Sequence, residues 1–203
     1  MLKKIVDGIL AGIMVSFGGC VYLSCENRYV GAFFFCIALL FICTYGYSLF
    51  TGKVGYLVND HGKEAFSVLL LGLLGNAIAT CLIGMVISYA VPAMGPAAAV
   101  ICNAKLSQNI LQTLIRSVFC GILMYLAVSF YKVTGKYHAI FFCVPVFILS
   151  GFEHSIANMF YFGASGIVSL EAFAYIWVVI IGNSLGGMLF PFLDLFRKEK
   201  EVK

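Results

Sequence analysis

Two adjacent ionisable residues, Glu153 and His154, lie inside the apolar stretch Ala139–Phe162. Titratable side chains at such a place are expensive to hold in a hydrophobic medium and mark sites that move ions or protons. The histidine exchanges a proton near neutral pH. Apolar walls disfavour its charged form, and a neighbouring carboxylate favours it. Glu153 admits two readings. It either shares in that chemistry, or it accepts hydrogen bonds from N–H groups freed where the helix breaks, because a carboxylate without partners is too costly there. Both residues stand in the polar interruption Ser150-Gly151-Phe152-Glu153-His154-Ser155.

The elements that must position them are membrane-spanning helices. Of 203 residues, 62% are hydrophobic and 11% charged, a balance that excludes an ordinary soluble domain. The net charge of +4 arises largely at the chain ends, which suits the surface of a bilayer and gives no sign of nucleic acid. A hydrocarbon core about 30 Å thick needs about 20 apolar residues in a helix. Six segments meet or approach that length: Ile5–Cys25, Val30–Leu57, Ala65–Val91, Gln108–Tyr131, Ala139–Phe162 and Leu170–Phe196. Polar connectors separate them, among them Ala93–Lys105 and Gly163–Ser169. With six spans both termini share a side, so Lys3, Lys4, Lys63, Lys132, Lys136, Arg197, Lys198, Lys200 and Lys203 fall together and only Arg28 and Lys105 fall clearly opposite. That bias places both termini in the cytoplasm. Eight cysteines include no C-x-x-C pair. Five of them (Cys36, Cys43, Cys81, Cys120 and Cys143) lie in apolar runs, so they read as small buried hydrophobes; pairing is open only to Cys20, Cys25 and Cys102, near expected helix ends.

The chain resembles itself across its midpoint. Leu74-Gly75-Asn76-Ala77-Ile78 in the third span corresponds to Ile181-Gly182-Asn183-Ser184-Leu185 in the sixth. The second span is interrupted at Tyr45–Gly52, as the fifth is at Ser150–Ser155. Three spans in each half must insert in opposite directions, which predicts a single channel domain over residues 1–203 with inverted repeats at about 1–92 and 106–203. Broken helices at matching places point to a transport site. Their half-helix N-termini bring partial positive charge to the bilayer centre, which suits an anion.

The run Gly151-Phe152-Glu153-His154-Ser155-Ile156-Ala157-Asn158-Met159-Phe160 resembles the broken fifth helix of the formate/nitrite transporter family, Leu49-Phe50-Thr51-Gly52 resembles its helix-2 loop, and Gly182-Asn183 with Gly186-Gly187 resembles its sixth helix. The resemblance covers nearly the whole chain. It implies an all-α, aquaporin-like architecture of six helices, a homopentamer with one pore per protomer, and passage of formate, nitrite, hydrosulfide and similar small anions without a cofactor, a metal or catalysis. It places His154 as the central pore histidine, with Thr51, Asn158 and Glu153 beside it. Phe35, Leu39, Leu49, Phe50 and Phe147 then form the constrictions, and Lys105 is the basic residue of a vestibule. Three positions depart from the family pattern: Ser48 replaces an acidic residue before Leu-Phe-Thr, Lys53 replaces an asparagine, and Gly121 replaces a fourth-helix asparagine. Lys53 reads most simply as snorkelling to the cytoplasmic surface; the other reading adds positive charge to the vestibule.

A rival reading comes from Gly163-Ala164-Ser165-Gly166, which matches the G-x-S-G pattern of rhomboid intramembrane proteases and would make Ser165 a nucleophile. That chemistry needs a histidine base within hydrogen-bond reach, and the last span has no histidine. A glycine-serine turn is the simpler reading.

Overall fold

The computed structural model describes residues 1–199; Lys200 and Lys203, counted above for orientation, lie outside the described residues. Every described element is helical. Long apolar helices are α1 (Leu2–Ser24), α5 (Lys63–Ala90), α7 (Ile110–Thr134) and α10 (Leu170–Glu199). Between α1 and α5 the chain forms α2 (Arg28–Phe34), α3 (Cys36–Tyr45), α4 (Phe50–Lys53) and a 3-10 turn Val54–Val58. After α5 come α6 (Met94–Leu106) and, beyond α7, α8 (His138–Leu149) and α9 (Ser155–Ser165). Five segments are long and apolar enough to cross a membrane: α1, α2 with α3, α5, α7 and α10 to Arg197; α8 is apolar but shorter.

Two of the expected connectors are not loops. Ala93–Lys105 was expected as a polar linker, yet Met94–Leu106 is a helix packed against α9. Its Ala-rich stretch has high helix propensity, and the few polar residues that suggested a linker cluster near its C-terminal end. Gly163, Ala164 and Ser165 likewise belong to the last turn of α9, which ends at Gly166 in the left-handed region with φ +69°. Cys102, expected near a helix end, is buried within α6, and all eight cysteines are unpaired.

The two interruptions have one construction. α3 stops at Gly46 (φ 73°) and the gap after α8 turns at Gly151 (φ 70°). Only glycine adopts that conformation without a Cβ penalty. Beyond each turn a few residues run outside any helix before α4 and α9 begin. Backbone of that kind survives within an apolar bundle only if other groups take its hydrogen bonds, and two buried asparagines do so. Asn76 on α5 accepts from the Phe50 N–H (3.0 Å) and donates to the carbonyls of Ser48 (2.9 Å) and Gly8 (2.8 Å). Asn183 on α10 accepts from the Ser155 N–H (2.9 Å) and donates to the carbonyls of Glu153 (2.7 Å) and Ser117 (2.9 Å).

These bridges require close helix pairs. α1 lies along α5, and α7 along α10. At Gly8, Gly12 and Gly75 in the first pair, and at Gly121, Gly182 and Gly186 in the second, a Cβ would meet the facing helix. Gly121 faces the backbone of Asn183, which explains why an asparagine does not fit there. α9 is enclosed: each residue from Ser155 to Phe162 is buried, as expected of a short helix surrounded by other elements. The outer faces of the bundle expose large apolar side chains such as Phe17, Leu82, Phe142 and Trp177, a surface suited to lipid or to another protomer.

Candidate functional site

His154 is the residue immediately before α9 and is only 4% exposed. Its Nδ1 accepts a hydrogen bond from the Ala157 N–H at 3.1 Å, capping the helix. An accepting Nδ1 carries no proton, so the neutral ring holds its proton on Nε2. Nε2 lies 2.9 Å from the Thr51 hydroxyl oxygen, to which it donates. This bond joins the two interruptions, since Thr51 belongs to α4 and is fully buried. The Phe147 ring stacks on the imidazole, with centroids 5.5 Å apart, and packs edge-on against Phe35 at 6.1 Å.

Three cavities are ordered by the walls they share. The first, about 410 Å³, is lined by Lys105, Glu153, Asn158, Arg116, Phe147 and His154, among others. Phe147 and His154 also line the second, a central chamber of about 10 Å³ closed by Phe35, Leu39, Ile42 and Leu49. Ile42 and Leu49 in turn border the third, about 440 Å³, whose lining includes Lys53, Tyr56, Asp60 and Lys132. Phe35, Leu39, Leu49, Phe147 and His154 thus gather around one narrow chamber. Phe50 and Thr51 line none of the three; Phe50 is buried with its N–H on Asn76, and Thr51 reaches the site through His154.

Glu153 is 2% exposed and fully engaged. Its carboxylate forms an ion pair with Lys105 and accepts from Gln108 Nε2 (2.9 Å) and Asn158 Nδ2 (2.9 Å), and its N–H donates to the Arg116 carbonyl (3.3 Å). Lys105 is therefore a paired cation, 14% exposed, rather than a lone charge at the mouth. Arg28, which donates to the Leu149 carbonyl at 3.0 Å, and Arg116 line the same cavity, so three cations face one carboxylate.

Gln108 and Arg116 were absent from the expected site. Arg116 carried a readable signal, an arginine inside the apolar segment Gln108–Tyr131. Gln108 carried none, because it sits at the boundary between α6 and α7 and meets Glu153 only through the fold. Ser165, the serine of the rival reading, donates to the Phe162 carbonyl (3.0 Å) and accepts from the Ile167 N–H (3.2 Å). No histidine bonds to it among the described residues.

The family model described as formate/nitrite transporter matches residues 1–196. The chain is 27% identical to the formate-nitrite transporter of Plasmodium ovale, over 97% of this chain and 75% of that protein. It is 30% identical to the nitrite transporter NirC of Escherichia coli K12, over 77% of this chain and 66% of that one. Among solved structures it is similar to an FNT family ion channel (TM-score 0.86, 24% identity, 97% of this chain and 90% of that one) and to a pentameric formate channel with formate bound (TM-score 0.79, 21% identity, 100% and 98%).

Proposed function

The chain belongs to the formate/nitrite transporter family, and from that premise we propose that it conducts small monovalent anions of weak acids, such as formate, nitrite or hydrosulfide, across the cytoplasmic membrane. The carrying observation is the position of His154: it is shared by the charged cavity and the central chamber. The names of the relatives speak for formate and nitrite.

In this reading the chain makes six spans, the fifth being completed by α8 and α9 end to end. The halves 1–92 and 106–203 form an inverted repeat. Its support is the pairing of Gly46 with Gly151, and of Asn76 with Asn183, at matching breaks. Both termini are cytoplasmic, so the Lys105 cavity opens to the outside and the Lys53 cavity to the cytoplasm. Protomers assemble as a homopentamer in the lipid bilayer, each with its own pore, and the exposed apolar faces supply surface for both contacts.

An anion is drawn into the outer cavity by Arg28, Arg116 and the Lys105–Glu153 pair. Crossing the chamber bare would cost it its hydration. At His154 the anion displaces Thr51 as acceptor of the Nε2 proton. Because a neutral imidazole is a very weak acid, the ring can surrender that proton only as Nδ1 releases the Ala157 N–H and takes a proton from the water of the outer cavity. One proton therefore enters with each anion, and the neutral acid passes Phe147, Phe35, Leu39 and Leu49. Phe50 backs Leu49, and Asn158 holds Glu153 in place. The test is proteoliposome flux of formate, nitrite, hydrosulfide, acetate and lactate. The small anions should pass, faster as the external pH falls, and His154→Phe should stop them. Flux no greater than in protein-free vesicles for any of the five would sink the proposal.

A further inference from the structure

The two interruptions match in backbone but differ in charge. Ser48 and Glu153 occupy equivalent places, since each offers its carbonyl to the bridging asparagine, Asn76 or Asn183. Counting onward from each, Lys53 stands where Asn158 stands in the other half. The outer half holds a carboxylate tied by Asn158, Gln108 and Lys105. The inner half has no carboxylate at Ser48 and has gained an ammonium at Lys53.

Lys53 is half-buried in the wall of the 440 Å³ cavity. It forms no ion pair and no hydrogen bond among the described residues. The carboxylates around it are otherwise held or stand off: Glu64 is paired with Lys4 at 2.8 Å, Asp60 accepts from the Gly62 N–H at 3.3 Å, and Asp7 forms no ion pair with it among the described residues. Two more donors share the cavity. Tyr56 lines it, and its buried hydroxyl has no hydrogen-bond partner. Lys132, also in the lining, rests its ammonium 4.1 Å from the centre of the Tyr56 ring. The remaining wall is apolar and ends at Ile42 and Leu49, the border of the central chamber.

We infer that Lys53, Tyr56 and Lys132 form an anion-binding site at the inner mouth, which takes a small monoanion of the carboxylate or nitrite type and loads it against Leu49. The inference rests on the pore proposed above. A partly buried ammonium with no counter-ion is an incomplete pair, and a one-charge, two-oxygen anion completes it while the phenol hydroxyl donates to a second oxygen. With two ammonium groups in its wall, Lys53 and Lys132, the cavity favours an anion over a cation.

The experiment uses the full chain in proteoliposomes, with orientation read from protease access to the C-terminus, and formate flux driven from either side. Lys53→Asn, which copies Asn158, should raise the half-saturating formate concentration from the inner side by about twofold to fivefold, the range a partly exposed ion pair supports. The value from the outer side should not move. Lys53→Arg should stay near wild type, and added salt should bring wild type toward the variant. Tyr56→Phe, which removes only the hydroxyl, should shift the inner value in the same direction and keeps the test usable if Lys53→Asn fails to assemble. An unchanged inner value, or equal shifts on both sides, overturns the site. His154→Phe separates the two claims: if it still conducts, the pore reading itself fails; if it blocks while Lys53→Asn and Tyr56→Phe leave the inner value unmoved, only this site fails.

Discussion

Asn76 and Asn183 perform the same task at the two interruptions: each spends its carboxamide oxygen and one amide proton on two backbone groups that the break leaves unpaired, and its other amide proton on a carbonyl of a neighbouring unbroken helix. All these groups are buried, so neither asparagine can be replaced by water. Asn183→Ala should therefore destabilise the protein by several kcal/mol, at about 1–3 kcal/mol for each buried group left unsatisfied. Asn76→Ala should do the same. Thermal unfolding in mild detergent measures it, with the exposed Asn59→Ala as control; a shift no larger than the control's would refute the role.

The Lys105–Glu153 pair makes a different prediction. Glu153 is 2% exposed, so Lys105→Met strands a buried carboxylate. Breaking a pair of this kind from one side costs about 3–5 kcal/mol. Lys105→Met should lower the unfolding temperature sharply, and adding Glu153→Gln should recover most of the loss, because Gln108 and Asn158 still have an amide oxygen to bind. If the double variant is no more stable than Lys105→Met alone, the pair does not hold the fifth segment.

His154 is tested by the pH profile of flux. His154→Asn keeps a polar side chain and removes the exchangeable ring proton, so flux should lose its wild-type dependence on pH and its preference among anions. His154→Phe should block altogether, since it exchanges the polar ring for a bulkier third phenyl in the chamber already lined by Phe35 and Phe147. Both variants should still assemble, because Asn183 and Gly151 continue to shape the break. Identical rates, anion preference and pH profile in His154→Asn and wild type would leave a pore that works by field and size alone.

Ser165→Ala should leave transport unchanged, as its hydroxyl only closes the last turn of α9. A measured proteolytic activity abolished by this change, with transport absent from both proteins, would restore the protease reading.

Orientation and assembly are independent of the site. A cysteine added at the C-terminus should react with an impermeant reagent only after cells are opened, and native mass spectrometry in mild detergent should find five copies. Labelling from outside, or a stable trimer, would contradict the proposed arrangement.

Both interruptions were legible in the sequence because they concentrate what long apolar helices avoid: glycine beside polar residues, at Gly46 and again at Gly151. The adjacency of Glu153 and His154 was legible for the same reason. What the sequence concealed was partnership. Glu153 lies 45 residues from Gln108 and 48 from Lys105, and no local pattern announces such a pair. The helix Met94–Leu106 was hidden by being too short to span and too polar at its end to resemble a span. Arg116 was visible but unread, an isolated charge in an apolar segment. Lys53 was read through its length and flexibility, which favour snorkelling, whereas the cavity wall around it comes from α3, α5 and α7 as well as its own segment.

The central chamber, at about 10 Å³, is close to the volume at which a cavity admits a single water, about 10–15 Å³. A proposed pore with such a waist holds no unbroken column of liquid. Through such a waist hydrogen ions would not hop unaccompanied, and sodium or potassium, which would arrive stripped of hydration between phenyl rings, would be excluded. The membrane around this protein would then remain an electrical insulator while its acids come and go: what crosses carries no current, and the voltage that other machines depend on is left intact.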